Sequence, residues 1–201
     1  MQLWLYMTTI EIRGYNMRVI AGNARGVSLK APDGLDTRPT IDRVKEALFS
    51  IIHFDIPGAD VLDLFAGTGQ LGIEALSRGA SSAVFVDRQE NACKLVKENL
   101  RRTKLEDKAQ VIRSEYTDYL RRCGKKFGII FLDPPYSHEF LENSLNLITE
   151  IDILQSGGII VAERPLGKEL PADFPGYSRS KDYKYGKVLL TLYRKEQSTE
   201  I

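Results

Sequence analysis

The chain of 201 residues is poor in side chains that bind metals or carry redox chemistry: two cysteines, two histidines and a single tryptophan. Cys93 and Cys123 lie far apart and form no CxxC or Cys/His pattern, so they read as reduced structural thiols suited to a cytoplasmic protein. His53 and His138 are isolated in the sequence, and no metal site is expected. Charge of one sign is also in short supply. A formal net charge of +1 sets up no global basic field, so any nucleic-acid footprint must be local. Long apolar runs are missing. Residues 1–16 include Trp4, Leu5, Tyr6 and Met7 but lack the basic start and small-residue cleavage site of a signal peptide, and the apolar run is too short for a membrane span. This segment reads as a weakly ordered extension. The rest, 43% hydrophobic and 27% charged, suits one globular domain with a small appendage, and nothing in it demands more than a monomer.

Three zones are expected: the extension 1–16, an N-terminal hairpin and helix at 17–58, and a main domain at 59–195. "MRVIAGNARGVSLKAPDGL" reads as two short strands around the Gly22-Asn23 turn. In "TIDRVKEALFSIIHF", Ile41, Val44, Ala47, Leu48, Ile51 and Ile52 recur at helical spacing, with Thr40 as the expected N-cap. Beyond it, short apolar runs at 61–65, 83–87, 110–113, 129–133, 159–163, 177–183 and 188–193 alternate with helical segments at 71–78, 90–102, 116–122 and 139–148. Such alternation implies a parallel sheet covered on both faces. Only "KYGK" separates the last two strands, which is too short for a crossover, so they pair antiparallel. An α/β sheet of seven strands, parallel but for a C-terminal hairpin, resembles the class I methyltransferase fold.

"VLDLFAGTGQLGIEAL" passes from a buried strand through a glycine turn into a helix. Gly67 and Gly69 allow a tight turn and a close backbone approach to a ligand. Open parallel sheets bind ligands at the carboxyl ends of their strands, where this loop must lie. Asp63 at that end can accept from an amino group, and Asp87 at the end of the next strand can take both hydroxyls of a ribose. Phe65 and Arg88 flank these positions, and Ser114, Glu115 and Tyr116 follow the third strand as the adenine-side candidates. Gly67, Gly69 and Gly72 also satisfy GxGxxG, so this segment alone specifies a nucleoside-containing cofactor and chooses weakly between a dinucleotide and S-adenosylmethionine. The acid before the turn favours the latter, which carries a cationic sulfur and no pyrophosphate.

"FGIIFLDPPYS" separates the two. The strand delivers Asp133, Pro134, Pro135 and Tyr136 to the same rim. The exocyclic amine of a base is a poor nucleophile because its lone pair is delocalised into the ring. Two acceptors holding its hydrogens, the Asp133 carboxylate and the Pro134 carbonyl, turn the lone pair towards a donor methyl. Two prolines fix the backbone and remove competing N–H groups, so positioning supplies most of the rate. Tyr136 offers a face on which a flipped-out base stacks. A dinucleotide oxidoreductase has no use for this element. The expected catalytic residues are therefore Asp133, Pro134 and Tyr136.

From residue 17 to about 194 the chain resembles the RsmD-like family of bacterial small-subunit ribosomal RNA guanine-N2 methyltransferases. The glycine loop and "FLDPPY" are shared with other amino-methyltransferases, whereas "RPTIDRVKEALF" after "RVIAGNARG" is much more specific to this family. The resemblance implies S-adenosylmethionine as cofactor, N2-methylguanine in 16S ribosomal RNA (customarily position 966) as product, and a partly assembled small subunit as partner. The residues themselves add a basic N-terminal part: Arg18, Arg25, Lys30, Arg38, Arg43 and Lys45 outnumber Asp33, Asp36 and Asp42, and such a patch holds phosphates without reading sequence. The expected substrate contacts are Arg18, Arg25, Arg38, Thr40, Pro135 and Tyr136, with Lys184 and Lys187 of "KYGK" as secondary ones. Two other functions stay open at this stage. One is a DNA methyltransferase acting at adenine N6 or cytosine N4, against which the small appendage argues. The other is a non-catalytic RNA-binding assembly module.

Overall fold

A computed structural model describes residues 17–32, 39–134, 138–167 and 169–196. The extension 1–16 lies outside them. After helix α1 (Pro39–Ile51) the chain alternates: β1 (Asp60–Asp63), α2 (Gln70–Ser77), β2 (Ser82–Asp87), α3 (Glu90–Thr103), β3 (Ala109–Arg113), α4 (Tyr116–Arg122), β4 (Phe127–Leu132), α5 (His138–Ile151) and β5 (Leu154–Pro165). Three strands without helices follow: β6 (Asp173–Phe174), β7 (Tyr177–Tyr185) and β8 (Val188–Lys195).

The sheet order is β3-β2-β1-β4-β5-β8-β7-β6. Strands β1 to β5 run parallel, and β8 is antiparallel to both β5 and β7. This is the class I methyltransferase arrangement, with one strand more than the sequence suggests. The extra strand, β6, is two residues turned back onto β7 by Pro175-Gly176 and is too short to show any period. Strand β5 also starts earlier than its apolar run. Leu154 pairs with Phe127, the register then shifts across the polar Gly157-Gly158 stretch, and pairing resumes at Ile159 with Ile129.

Side chains alternate across the pleat. On one face, Val61, Phe85, Phe131 and Val161 pack under α1, α2 and α3 with Phe49, Ile73 and Val96. On the other, Leu62, Val84, Ile130 and Ile160 pack under α4 and α5 with Leu120, Leu145 and Ile148. Burial of each such side chain stabilises by about 1.5–3 kcal/mol, and this is what orients the strand ends that follow. Helix α1 begins at Pro39, so Thr40 lies inside it and the expected N-cap is corrected by one residue or more. Proline suits a first helical turn because the N–H it lacks would have no partner there.

The N-terminal hairpin is real but irregular. One antiparallel bridge, Arg18 to Ser28, replaces the two expected strands. What holds it is side-chain hydrogen bonding from α1, α2 and α3. Buried Glu74 accepts from Ile20 N (2.8 Å), Ala21 N (3.0 Å) and Arg78 Nε (2.7 Å). Lys45, also buried, donates to the Arg18 carbonyl (2.6 Å) and sits 3.7 Å from Glu74, its pKa pushed down by burial. Buried Asn99 pairs with both backbone groups of Lys30 and donates to the Thr68 carbonyl in the glycine loop. The hairpin's open end is thus tied to that loop. Its tip contacts Ser77 at the carboxyl end of α2, on the side where the strands begin.

Candidate active site

The carboxyl ends of β2, β1, β4 and β5 form one rim. Asp63 and Phe131 are register partners, and Leu132 pairs with Ala162, so Asp133 and Glu163 are the next residues on neighbouring strands. Alternation puts Asp63, Asp133 and Glu163 on the face that carries Val61, Phe131 and Val161. Asp63 accepts from Gly72 N (3.0 Å) inside α2. Gly72 must be glycine: a Cβ there would lie 2.3 Å from the buried Phe85 ring.

This rim is acidic, and no described cation pairs with Asp63 or Glu163. Burial, then the charges of Asp133 and Asp87, push the Asp63 carboxyl up to about 7. Burial raises the Asp133 carboxyl, and burial with the Asp133 charge raises that of Glu163. Asp87, by contrast, is spent on geometry: one oxygen accepts from Gly67 N (3.0 Å) and the other from Gln89 N (2.8 Å), holding the glycine loop against β2.

Beside Asp87 a cleft opens between the ends of β2 and β3. Its polar side is Asp87, Arg88, Gln89, Ser114 and Glu115, and its apolar side includes Phe65, Tyr116 and Phe140. The three rings form one cluster, with Phe65–Tyr116 centroids 5.3 Å apart and Tyr116–Phe140 5.9 Å in an edge-to-face contact. Ser114 bonds the Glu115 carbonyl, and Arg88 faces the Glu115 carboxylate at 3.7 Å.

Of the residues expected from sequence, Asp63, Phe65, Gly67, Asp87, Arg88, Ser114, Glu115, Tyr116, Asp133 and Pro134 share this rim, with Gly69 opening α2. Lys184 and Lys187 are exposed on the β7–β8 turn, which reaches the same rim through the Leu166 N to Lys187 O bond. Arg18 is exposed beside Asp42 in the first turn of α1. Among the described residues, Lys45, Lys30 and Arg25 do not join a basic patch beside the site. Lys45 is buried, Lys30 pairs with Glu98 at 3.0 Å, and Arg25 sits on the hairpin tip, on the side where the strands begin. Arg38, Pro135, Tyr136 and the Thr40 side chain lie outside the described residues. Sequence reasoning missed Phe140, which helix α5 carries back to the cleft, and Gln70, whose buried Oε1 has no hydrogen-bond partner among the described residues. It also missed Glu163, an acid ending an apolar run as Asp63, Asp87 and Asp133 do.

Residues 17–194 match the model of the family described as Conserved hypothetical protein 95. Ribosomal RNA small subunit methyltransferase D of Escherichia coli (strain K12) is 34% identical over 184 residues, covering 92% of each chain. The chain belongs to this family, the RsmD-like methyltransferases. YlbH of Bacillus subtilis is 44% identical over 182 residues, covering 89% of this chain and 99% of its own. Among solved structures, yhhF of Escherichia coli superposes with a TM-score of 0.82 at 32% identity, over 90% of this RsmD-like chain and 98% of its own. No helix of the described residues is long and apolar enough to cross a membrane.

Proposed function

We propose that this RsmD-like methyltransferase uses S-adenosylmethionine to methylate the N2 amine of a guanine in 16S ribosomal RNA, as a naked transcript or in an assembling small subunit. The observation that carries the reading is the acidic rim. Asp63, Asp87 and Asp133 meet with no described residue paired to them as a cation, which suits a ligand bearing cationic sulfur and ammonium groups and repels a pyrophosphate. Asp87 would take the ribose hydroxyls through its remaining lone pairs, and the cleft would take the adenine against Phe65, Tyr116 and Phe140, with Ser114 and Glu115 at its polar edge.

When bound, S-adenosylmethionine supplies an electrophilic methyl group. The chain's own residues prepare the nucleophile. Asp133 accepts one amine hydrogen and the Pro134 carbonyl the other, so the nitrogen lone pair faces the cofactor side of the rim. Burial raises the Asp133 carboxyl above its ordinary range, which favours its taking up the departing proton. Tyr136 and Pro135 are assigned to stack the base, and Arg18, Arg38, Thr40, Lys184 and Lys187 to hold the RNA.

The experiment incubates the protein with methyl-labelled donor and 16S rRNA, small-subunit particles or DNA, digests the product and identifies the nucleoside. N2-methylguanosine from RNA is the expected outcome. N6-methyladenine or N4-methylcytosine from DNA would replace the reading by a DNA enzyme, and binding without transfer by an assembly module.

A further inference from the structure

Glu163 is the group at the rim that the chemistry above leaves idle. It ends β5 one step beyond the Leu132–Ala162 pair, so it stands beside Asp133 at the inter-strand spacing of about 4.8 Å. It lies on the same face as Asp133 and Asp63. It is half-buried, and no described residue gives it a hydrogen bond or an ion pair. Its neighbour in sequence does not neutralise it. The Arg164 side chain goes to Thr191 Oγ1 (2.8 Å) and Asp182 Oδ2 (2.6 Å), on β8 and β7. From β8 the register partner of Glu163 is Leu190, which is buried and apolar. A carboxyl held this way costs stability without a ligand, and such groups concentrate where a ligand supplies the missing donor.

We infer that Glu163 selects the base, its carboxylate accepting the N1–H of guanine while its neighbour Asp133 holds the adjacent N2 amine. The assignment rests on the guanine reading above and deepens it. Guanine alone among the amine-bearing bases places a ring N–H beside its exocyclic amine. Adenine and cytosine place a ring lone pair there, which a carboxylate repels. Two carboxylates on neighbouring strands therefore match the guanine edge and reject the other two. The N–H donors of guanine also relieve the repulsion between the two acids and favour the ionised form of Glu163 that accepts from N1–H.

The test compares guanine with 2-aminopurine, which keeps the 2-amino group but carries a lone pair at N1, at the target position of otherwise identical rRNA. Wild type should favour guanine in kcat/KM by about a hundredfold or more. Glu163→Gln offers an amide that either donates to N1 or accepts from N1–H, and should narrow that preference by about tenfold or more. Glu163→Ala should lose rate on guanine and little on 2-aminopurine. The Kd of S-adenosylmethionine should be unchanged in both. If the Gln variant loses rate equally on both RNAs, or keeps the wild-type preference, the assignment is overturned; because Gln is isosteric, this holds even where the Ala variant fails to fold. Wild type that modifies a base other than guanine would instead sink the functional reading, and this assignment with it.

Discussion

Replacing Glu74 with alanine removes one of the acceptors that join the hairpin to the domain. Glu74 is fully buried and receives three hydrogen bonds, from Ile20 N, Ala21 N and Arg78 Nε, with buried Lys45 at 3.7 Å. Taking one partner from a buried ion pair costs about 3–5 kcal/mol, because the other charge stays buried without compensation. The two hairpin amides lose about 1–3 kcal/mol each if they cannot reach water, but a detached hairpin can solvate them, so the sum is not additive. The expected loss is therefore about 3–5 kcal/mol, a large share of a typical domain's stability. For a chain of this length it lowers Tm by roughly 6–20 °C. Adding Lys45→Met should restore the part due to the unpaired cation, less the hydrogen bond that Lys45 gives the Arg18 carbonyl. Urea denaturation measures the loss, and limited trypsin digestion reports whether Arg25 in the tip becomes more cleavable. A loss below about 1 kcal/mol with unchanged cleavage at Arg25 would refute the reasoning.

Three other outcomes are expected. Gly72→Ala should destabilise by about 1–3 kcal/mol, because a Cβ 2.3 Å from the Phe85 ring outweighs alanine's helix preference; a stabilised variant in thermal melts would contradict this packing. The Asp63 carboxyl is raised to about 7, so its protonated form is favoured on folding. Its contribution is present below about pH 4 and lost as pH rises through about 7. Asp63→Asn should remove a pH-dependent loss of up to about 4 kcal/mol across that window, and parallel stability–pH curves would show the carboxyl is not perturbed. Asp87→Ala should weaken S-adenosylmethionine by about tenfold or more in calorimetry, through both the ribose and the glycine loop it holds; an unaltered Kd removes that role.

Much of this architecture was legible in the chain because its strands are continuous apolar runs, buried on both faces. Helix α4 was expected at 116–122 and is found there, since Tyr116 and Leu120 mark its buried stripe. The start of β5 was hidden by the Gln155–Gly158 stretch, which looks like a turn but enters the sheet through a register shift. Lys45 shows the other limit. In a helix among charged residues it reads as a solvated cation, and only the fold brings Glu74 to it from another helix. The same holds for Arg25, basic and near the site in sequence but carried by the hairpin's length to the side where the strands begin. The acids at strand ends were readable one by one. That Asp133 and Glu163 are neighbours follows only from strand order.

The central claim is that Asp133 holds the amine which receives the methyl group. The direct measurement is transfer of labelled methyl to guanine N2 of 16S rRNA or small-subunit particles by Asp133→Ala at saturating donor. Transfer should fall by about a hundredfold or more, with the Kd for S-adenosylmethionine within a few-fold of wild type. Transfer at the wild-type rate by that variant would contradict the account.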